Sequence, residues 1–214
     1  HKLETGVLDM VIGTHRILSE DVKFKNLSLL IIDEEQKFGV KSKEKLKQKR
    51  EKIDILTLTA TPIPRTLNLA LLGIRDISTI ETPPVNRLPI ETIIVETDAD
   101  IKTAVLKELA RDGQIFYIYN NVKHMEEKMK ELKKQLPDFV KMNYIHGQLL
   151  PKVIKERIRK FENGEFDILL ATTIIENGID ISNVNTIIIE NFDKLGLSQV
   201  YQLRGRVGRR SEER

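Results

Sequence analysis

Residues 27–40 read LSLLIIDEEQKFGV. A nearly continuous apolar run ends in three consecutive acids, Asp33, Glu34 and Glu35. Such a run, without polar alternation, is expected of a strand covered on both faces of a parallel sheet. The acids at its end repel one another and are costly to desolvate. Two arrangements relieve that cost. A helix N-terminus following the strand attracts carboxylates through its backbone dipole. A magnesium ion does so with a full charge, and open α/β sheets bind ligands beyond the C-terminal ends of their strands. In the second arrangement one carboxylate holds the ion, directly or through water. The next orients or deprotonates an attacking water.

The pattern on either side repeats this alternation. Residues 9–14 (DMVIGT), 53–61 (IDILTLTAT) and 76–82 (DISTIET) read as further strands, and the opening HKLETGV as a helix remnant. Helices are expected from Lys41 and over 64–73, the second with proline at its start and glycine at its end. Residues 81–89, ETPPVNRLP, carry three prolines and read as a linker. The pattern then restarts. Strands are expected over 90–97, 114–120, 139–147, 166–173 and 184–191. Helices are expected over 98–111, 122–136 and 151–163, with a last one from near Ser198. Strand–helix alternation in two blocks predicts an α/β protein with two parallel-sheet units, residues 1–84 and 85–214. The first block enters in mid-pattern, and G-x-x-x-x-G-K-[ST], the phosphate-cradling loop, does not occur. The chain therefore reads as a piece of a longer protein.

Composition narrows the chemistry. The 214 residues are 40% hydrophobic and 31% charged, which suits a globular chain. There is no cysteine, so thiolate metal sites and cysteine nucleophiles are excluded. The four histidines, at 1, 15, 124 and 146, are too dispersed to suggest a metal site. No apolar run is long enough for a membrane helix, so a soluble, cytoplasmic protein is expected. The net charge of +3 permits an anionic partner without requiring one. It is unevenly spread: residues 41–52 hold seven basic residues and two acids, as a solvated helix face can.

Three further segments bear on the acids. Residues 58–66, LTATPIPRT, follow an apolar strand. Residues 171–180, ATTIIENGID, place threonines at a strand tip and then Gly178 and Asp180 in a turn. Residues 202–210, QLRGRVGRR, space Arg206 and Arg209 three apart, on one face of an expected helix. Two fixed guanidiniums suit an anion whose charge grows in a transition state. Each segment alone is compatible with an ordinary strand exit, turn or solvated surface. In this order and spacing they resemble motifs II, III, V and VI of the superfamily-two helicases and translocases. That resemblance covers essentially the whole chain. It implies two RecA-like domains in tandem, the first truncated at its N-terminus, that hold ATP between them. On it, Asp33 holds Mg²⁺ and Glu34 activates water. Gln36, Thr59 and Thr61 couple the nucleotide site to DNA. Gly178, Asp180 and Gln202 approach the nucleotide, and Arg206 and Arg209 are arginine fingers. Thr14, His15, Arg16, Asn120, His146, Gly147, Gln148, Thr172 and Thr173 lie on DNA. Contacts of this kind to the phosphate backbone position a protein without reading sequence, as a motor requires.

Within the superfamily, GTHRIL (13–18), DEEQKFGV (33–40), residues 57–87, FYIYNNV (116–122) and IIENGIDI (174–181) resemble the bacterial transcription-repair coupling factor (Mfd) family. RecG is the nearest related family. It usually shows DEQHRFG where this chain has DEEQKFG, has no arginine after its GTH and lacks the ETPP-x-NR linker; all three differences favour Mfd. This resemblance implies an ATP-dependent double-stranded DNA translocase of the bacterial cytoplasm. Such a protein displaces stalled RNA polymerase and recruits an excision-repair protein, through regions outside these residues. Two alternatives stay open. One is a RecG-type fork-remodelling helicase. The other is a nucleic-acid-binding module without turnover, because the phosphate-cradling loop is missing and these residues alone are expected to be inactive.

Overall fold

The computed structural model describes residues 1–34, 53–59, 76–82, 89–177, 181 and 183–208. The chain divides into two compact units, His1–Ser78 and Thr79–Arg214. The helices expected from Lys41 and over 64–73, and the expected boundary between residues 84 and 85, lie outside the described residues.

In the first unit, β1 (Leu29–Asp33) and β2 (Asp54–Leu58) pair in parallel, from Leu29 opposite Asp54 to Asp33 opposite Leu58. Leu30 and Ile32 are buried against Leu18, Ile17, Ile53 and Ile55. Their neighbours are not: Leu29 is 52% and Ile31 56% exposed. Burial of β1 therefore alternates, against the expectation of a strand covered on both faces. Leu18 closes a short 3-10 helix, His15–Leu18.

Two other expectations, over residues 1–14 and 76–82, fail. The opening residues form one turn, not a helix, because Gly6 adopts φ 73° and closes it. The Val7 N–H donates to the Lys2 carbonyl and the Gly6 N–H to the Leu3 carbonyl, a Schellman stop. Residues 9–14 and 76–82 are not strands. Met10 and Ile12 are 76% and 90% exposed. An apolar run becomes a strand only where a neighbour satisfies its backbone groups, and no such ladder forms here among the described residues.

The second unit holds a four-stranded parallel sheet of β3 (Gln114–Ile118), β4 (Met142–Ile145), β5 (Ile168–Ala171) and β6 (Val184–Ile189). Its order is β4-β5-β3-β6. The helices are α1 (Asp98–Leu109), α2 (Met125–Gln135), α3 (Pro151–Glu162) and α4 (Leu197–Arg204). Alternate strand residues enter two separate cores. Ile115, Tyr117, Ile168 and Leu170 meet Val105 of α1 and Met125 and Leu132 of α2. Phe116, Ile118, Leu169 and Ala171 meet Phe161 of α3 and Leu203 of α4. Both faces of this sheet are covered, and β3 and β5 are buried at every position. The buried Gln114 ties the layers together: its Nε2 donates to the carbonyls of Phe161 at 2.6 Å and Phe166 at 2.8 Å. Residues 90–97, expected as a strand, stay outside the ladder, and Ile93 and Ile94 are 67% and 76% exposed.

Local signals explain the helix limits. Thr97 and Asp100 form a capping box at the start of α1. The Thr97 hydroxyl bonded to Asp100 holds that carboxyl below its usual range. Pro151 sits at the first position of α3, where its missing N–H costs nothing. A 3-10 turn, Val122–His124, leads into α2.

Candidate functional site

Asp33 is the last residue of β1, and Glu34 follows it at φ 53°. A glutamate in the left-handed region is uncommon, and such backbones cluster at functional sites. The Glu34 N–H donates to the Leu58 carbonyl at 3.0 Å, which fixes the turn off the strand to the end of β2. The Asp33 residue is exposed and Glu34 half-buried. Thr59, also exposed, follows β2. Because β1 and β2 are parallel and in register, all three emerge at one edge. Gln36 and Thr61 lie outside the described residues.

Among the described residues no three His, Cys, Asp or Glu side chains converge on a metal site. An open carboxylate at a strand tip fits magnesium even so. That ion keeps several waters and takes other ligands from phosphate, so one or two protein carboxylates suffice.

The tips of the second sheet gather the residues expected on nucleic acid. Asn120 follows β3, His146, Gly147 and Gln148 follow β4, and Thr172 and Thr173 follow β5. The three strands are parallel neighbours, so these residues share one edge. Asn120, Gly147 and Gln148 are exposed, whereas Thr172 is buried. Two shallow depressions, of about 390 and 340 Å³, both touch Lys141 and Phe166 near the strand starts, at the opposite end of the sheet.

Gln202 is half-buried on α4. The helix ends at Arg204, with Gly205 as its cap. Arg206 therefore lies in the turn beyond the helix, and the expected helical face shared with Arg209 does not extend to it. Gly208, at φ 68°, carries the chain further from helical geometry. Gly178, Asp180 and Arg209 are outside the described residues.

The first unit's expected DNA residues are all exposed. Thr14 caps the 3-10 helix through its side chain, which accepts from the Arg16 N–H. The Arg16 guanidinium makes two bonds to Asp21, at 2.7 and 2.6 Å, and this pairing raises its pKa. An exposed pair of this kind is weak and screened by salt, so it leaves Arg16 able to exchange partners.

Some interactions at the second edge have no signature in sequence spacing. Tyr117 donates to Glu190 at 3.0 Å, and burial together with that carboxylate raises the phenol pKa. Glu190 also pairs with Lys128 at 3.1 Å, and Lys128 with Glu131 at 3.2 Å. Burial works against the Lys128 charge, but the two carboxylates outweigh it and the pKa is raised. Tyr144 donates to Glu126 at 2.6 Å, which raises its pKa. Arg157 lies over the Tyr144 ring, 4.5 Å from its centroid. Lys128 and Glu131 are a local i,i+3 pair on one helix, but the other pairs join residues 13 to 73 positions apart, beyond the reach of any local motif.

Residues 100–211, more than half of the chain, match the helicase conserved C-terminal domain, and residues 1–70 match the DEAD/DEAH box helicase family. The chain belongs to the superfamily-two helicases. Its two α/β units are thus RecA-like domains in tandem. A transcription-repair-coupling factor of Staphylococcus haemolyticus (strain JCSC1435) is 53% identical over 210 residues. That match spans 98% of this chain and 18% of the relative. A structure of RecG bound to a three-way DNA junction superimposes with a TM-score of 0.68 at 39% identity, covering 97% of this chain and 28% of that one. Yeast Dbp5 (S. cerevisiae), at 18% identity, a TM-score of 0.60 and coverage of 91% of this chain and 54% of that one, shares the fold.

Proposed function

We propose that the chain is the motor core of an ATP-dependent double-stranded DNA translocase acting in transcription-coupled DNA repair. The observation that carries this reading is the acid pair at the β1 tip, with Glu34 held in a left-handed turn, in a chain 53% identical to a transcription-repair-coupling factor. In this reading Asp33 holds Mg²⁺ with ATP, and Glu34 orients the attacking water. Gln36, Thr59 and Thr61 couple nucleotide to DNA. Gly178, Asp180, Gln202, Arg206 and Arg209 come to the nucleotide from the second unit. Their guanidiniums meet charge that grows during phosphoryl transfer. Thr14, His15 and Arg16, with Asn120, His146, Gly147, Gln148, Thr172 and Thr173, hold the DNA backbone. The partners are double-stranded DNA, RNA polymerase and an excision-repair protein, the last two through regions beyond these residues. The setting is the bacterial cytoplasm. Among the described residues no helix is long and apolar enough to cross a membrane.

The likeness to RecG on its DNA junction favours a second reading, a fork-remodelling helicase. One experiment addresses the motor and its target. In the full-length protein, Glu34→Gln is expected to retain ATP binding and lose turnover by on the order of 10²-fold or more, as loss of a general base does. Near-normal turnover would return the acids to a helix-capping role. The unmodified protein is expected to clear a stalled RNA polymerase from DNA with ATP; regression of a branched junction without polymerase clearance would assign it to the fork-remodelling class.

A further inference from the structure

We propose that Arg157, acting through Tyr144, is a positioning residue that sets His146 as a neutral hydrogen-bond donor to the DNA backbone. This rests on the reading of His146 as a DNA contact.

The geometry begins at the end of β4. Tyr144 is its penultimate residue, and His146 lies just past its tip. Two positions apart on a strand, they stand on one side of the sheet. Their rings are 5.8 Å apart between centroids and only 9° from parallel, within the range of offset stacking. Tyr144 is held from two directions. Its hydroxyl donates to Glu126 in the first turn of α2 at 2.6 Å. Arg157 of α3 lies 4.5 Å from its ring centroid and donates through Nη1 to its backbone carbonyl at 2.6 Å. Two helices thus clamp the side chain on which the histidine ring stacks. The loop beyond is tied by the Leu149 N–H to the His146 carbonyl at 3.1 Å. Open space surrounds the position of a Cβ at Gly147, so a ligand backbone can come close.

The ring itself is asymmetric. His146 Nδ1 is buried and has no hydrogen-bond partner. A hydrogen there would be a stranded donor, the costly state for a buried polar group. In the neutral ring one nitrogen carries the hydrogen and the other accepts. The hydrogen therefore belongs on Nε2, and the residue as a whole is only half-buried. Stacking fixes the plane and the shut-in Nδ1 fixes the tautomer. What remains is one donor on a half-buried ring beside the exposed Gly147 and Gln148, suited to a phosphate oxygen on any sequence. Because this donor carries no charge, its contribution is expected to be insensitive to salt, unlike that of a lysine or arginine on phosphate.

The test is a double-mutant cycle in the full-length protein. His146→Ala and Arg157→Ala are expected each to raise the DNA concentration for half-maximal ATPase about three- to tenfold, the range of one hydrogen bond. The slope of DNA affinity against salt should be unchanged. The double variant should be no worse than either single one. Arg157→Lys should behave like the alanine variant, because an ammonium lacks the planar surface and the fork. Should Arg157→Ala unfold the second unit, Glu126→Gln and Tyr144→Phe loosen the same clamp more gently, with about twofold effects that vanish on a His146→Ala background. Additive losses, rescue by lysine, or a salt slope lowered by about one unit would make Arg157 a separate phosphate contact and overturn the inference. A silent His146→Ala would instead remove the premise that His146 touches DNA.

Discussion

The two parallel sheets among the described residues are built from similar sequence and packed differently. β1 carries Leu-Leu-Ile-Ile-Asp and β5 carries Ile-Leu-Leu-Ala. In β5 every residue is buried, between α2 on one side and α3 and α4 on the other. In β1 only Leu30 and Ile32 are buried, and Leu29 and Ile31 remain about half exposed, at 52% and 56%. A strand's apolar content states what it can bury. What it does bury depends on the elements placed against it. The proposed site divides along the same line. The acids stand on the lightly packed sheet, and the proposed DNA edge rises from the fully covered one.

The largest test of this contrast compares Phe161→Ala with Ile31→Ala. Phe161 is fully buried and its ring lies 5.6 Å from that of Phe116. Its truncation is expected to cost about 3–5 kcal/mol, and that of the half-exposed Ile31 under about 1 kcal/mol. Hydrogen exchange of β5 and β1 peptides in the full-length protein reads each cost locally. Equal costs would mean that the outer face of β1 is as well covered as the second sheet.

A smaller effect is expected at Gly113, in the turn before β3. A Cβ built there meets the buried Glu108 carboxylate only 1.7 Å from Oε1. Glu108 cannot simply swing away, because Arg111 and Thr186 both donate to its other oxygen. Gly113→Ala is therefore expected to destabilise the second unit by about 1–3 kcal/mol, as overpacking does, without lowering β1 protection. Unchanged protection of β3 would show that the turn has slack.

The smallest effect concerns pH. Asp100 has a folded pKa below its unfolded value, because the Thr97 hydroxyl bonds its carboxylate. Its contribution is present above the unfolded pKa and lost as pH falls through the folded one. Amide exchange at the start of α1, corrected for intrinsic rate, should thus rise on acidification through the carboxylate range. Asp100→Asn should flatten that dependence, while the exposed surface of the first unit provides the reference. An unchanged profile would place the stability of this helix in its packed face alone.

Much of the fold could be read locally. The proline at the start of α3, the Thr97 cap and the apolar runs of β3 to β6 each signal their place in the fold within a few residues. The order of the motifs was enough to indicate a helicase. Local pattern misled at residues 9–14, 76–82 and 90–97, where apolar runs found no ladder among the described residues, and at Arg206, which spacing put on a helix that ends at Arg204. Sequence determined which segments could be strands and which side chains could carry charge to a phosphate, because propensity, capping and chemistry act over a few neighbouring residues. Only the tertiary structure decided that one sheet is covered twice, that Glu34 turns left-handed against the end of β2, and that Arg157 meets Tyr144. Those outcomes depend on pairings between residues far apart in the chain, and backbone and side-chain groups are satisfied by whatever folding brings beside them.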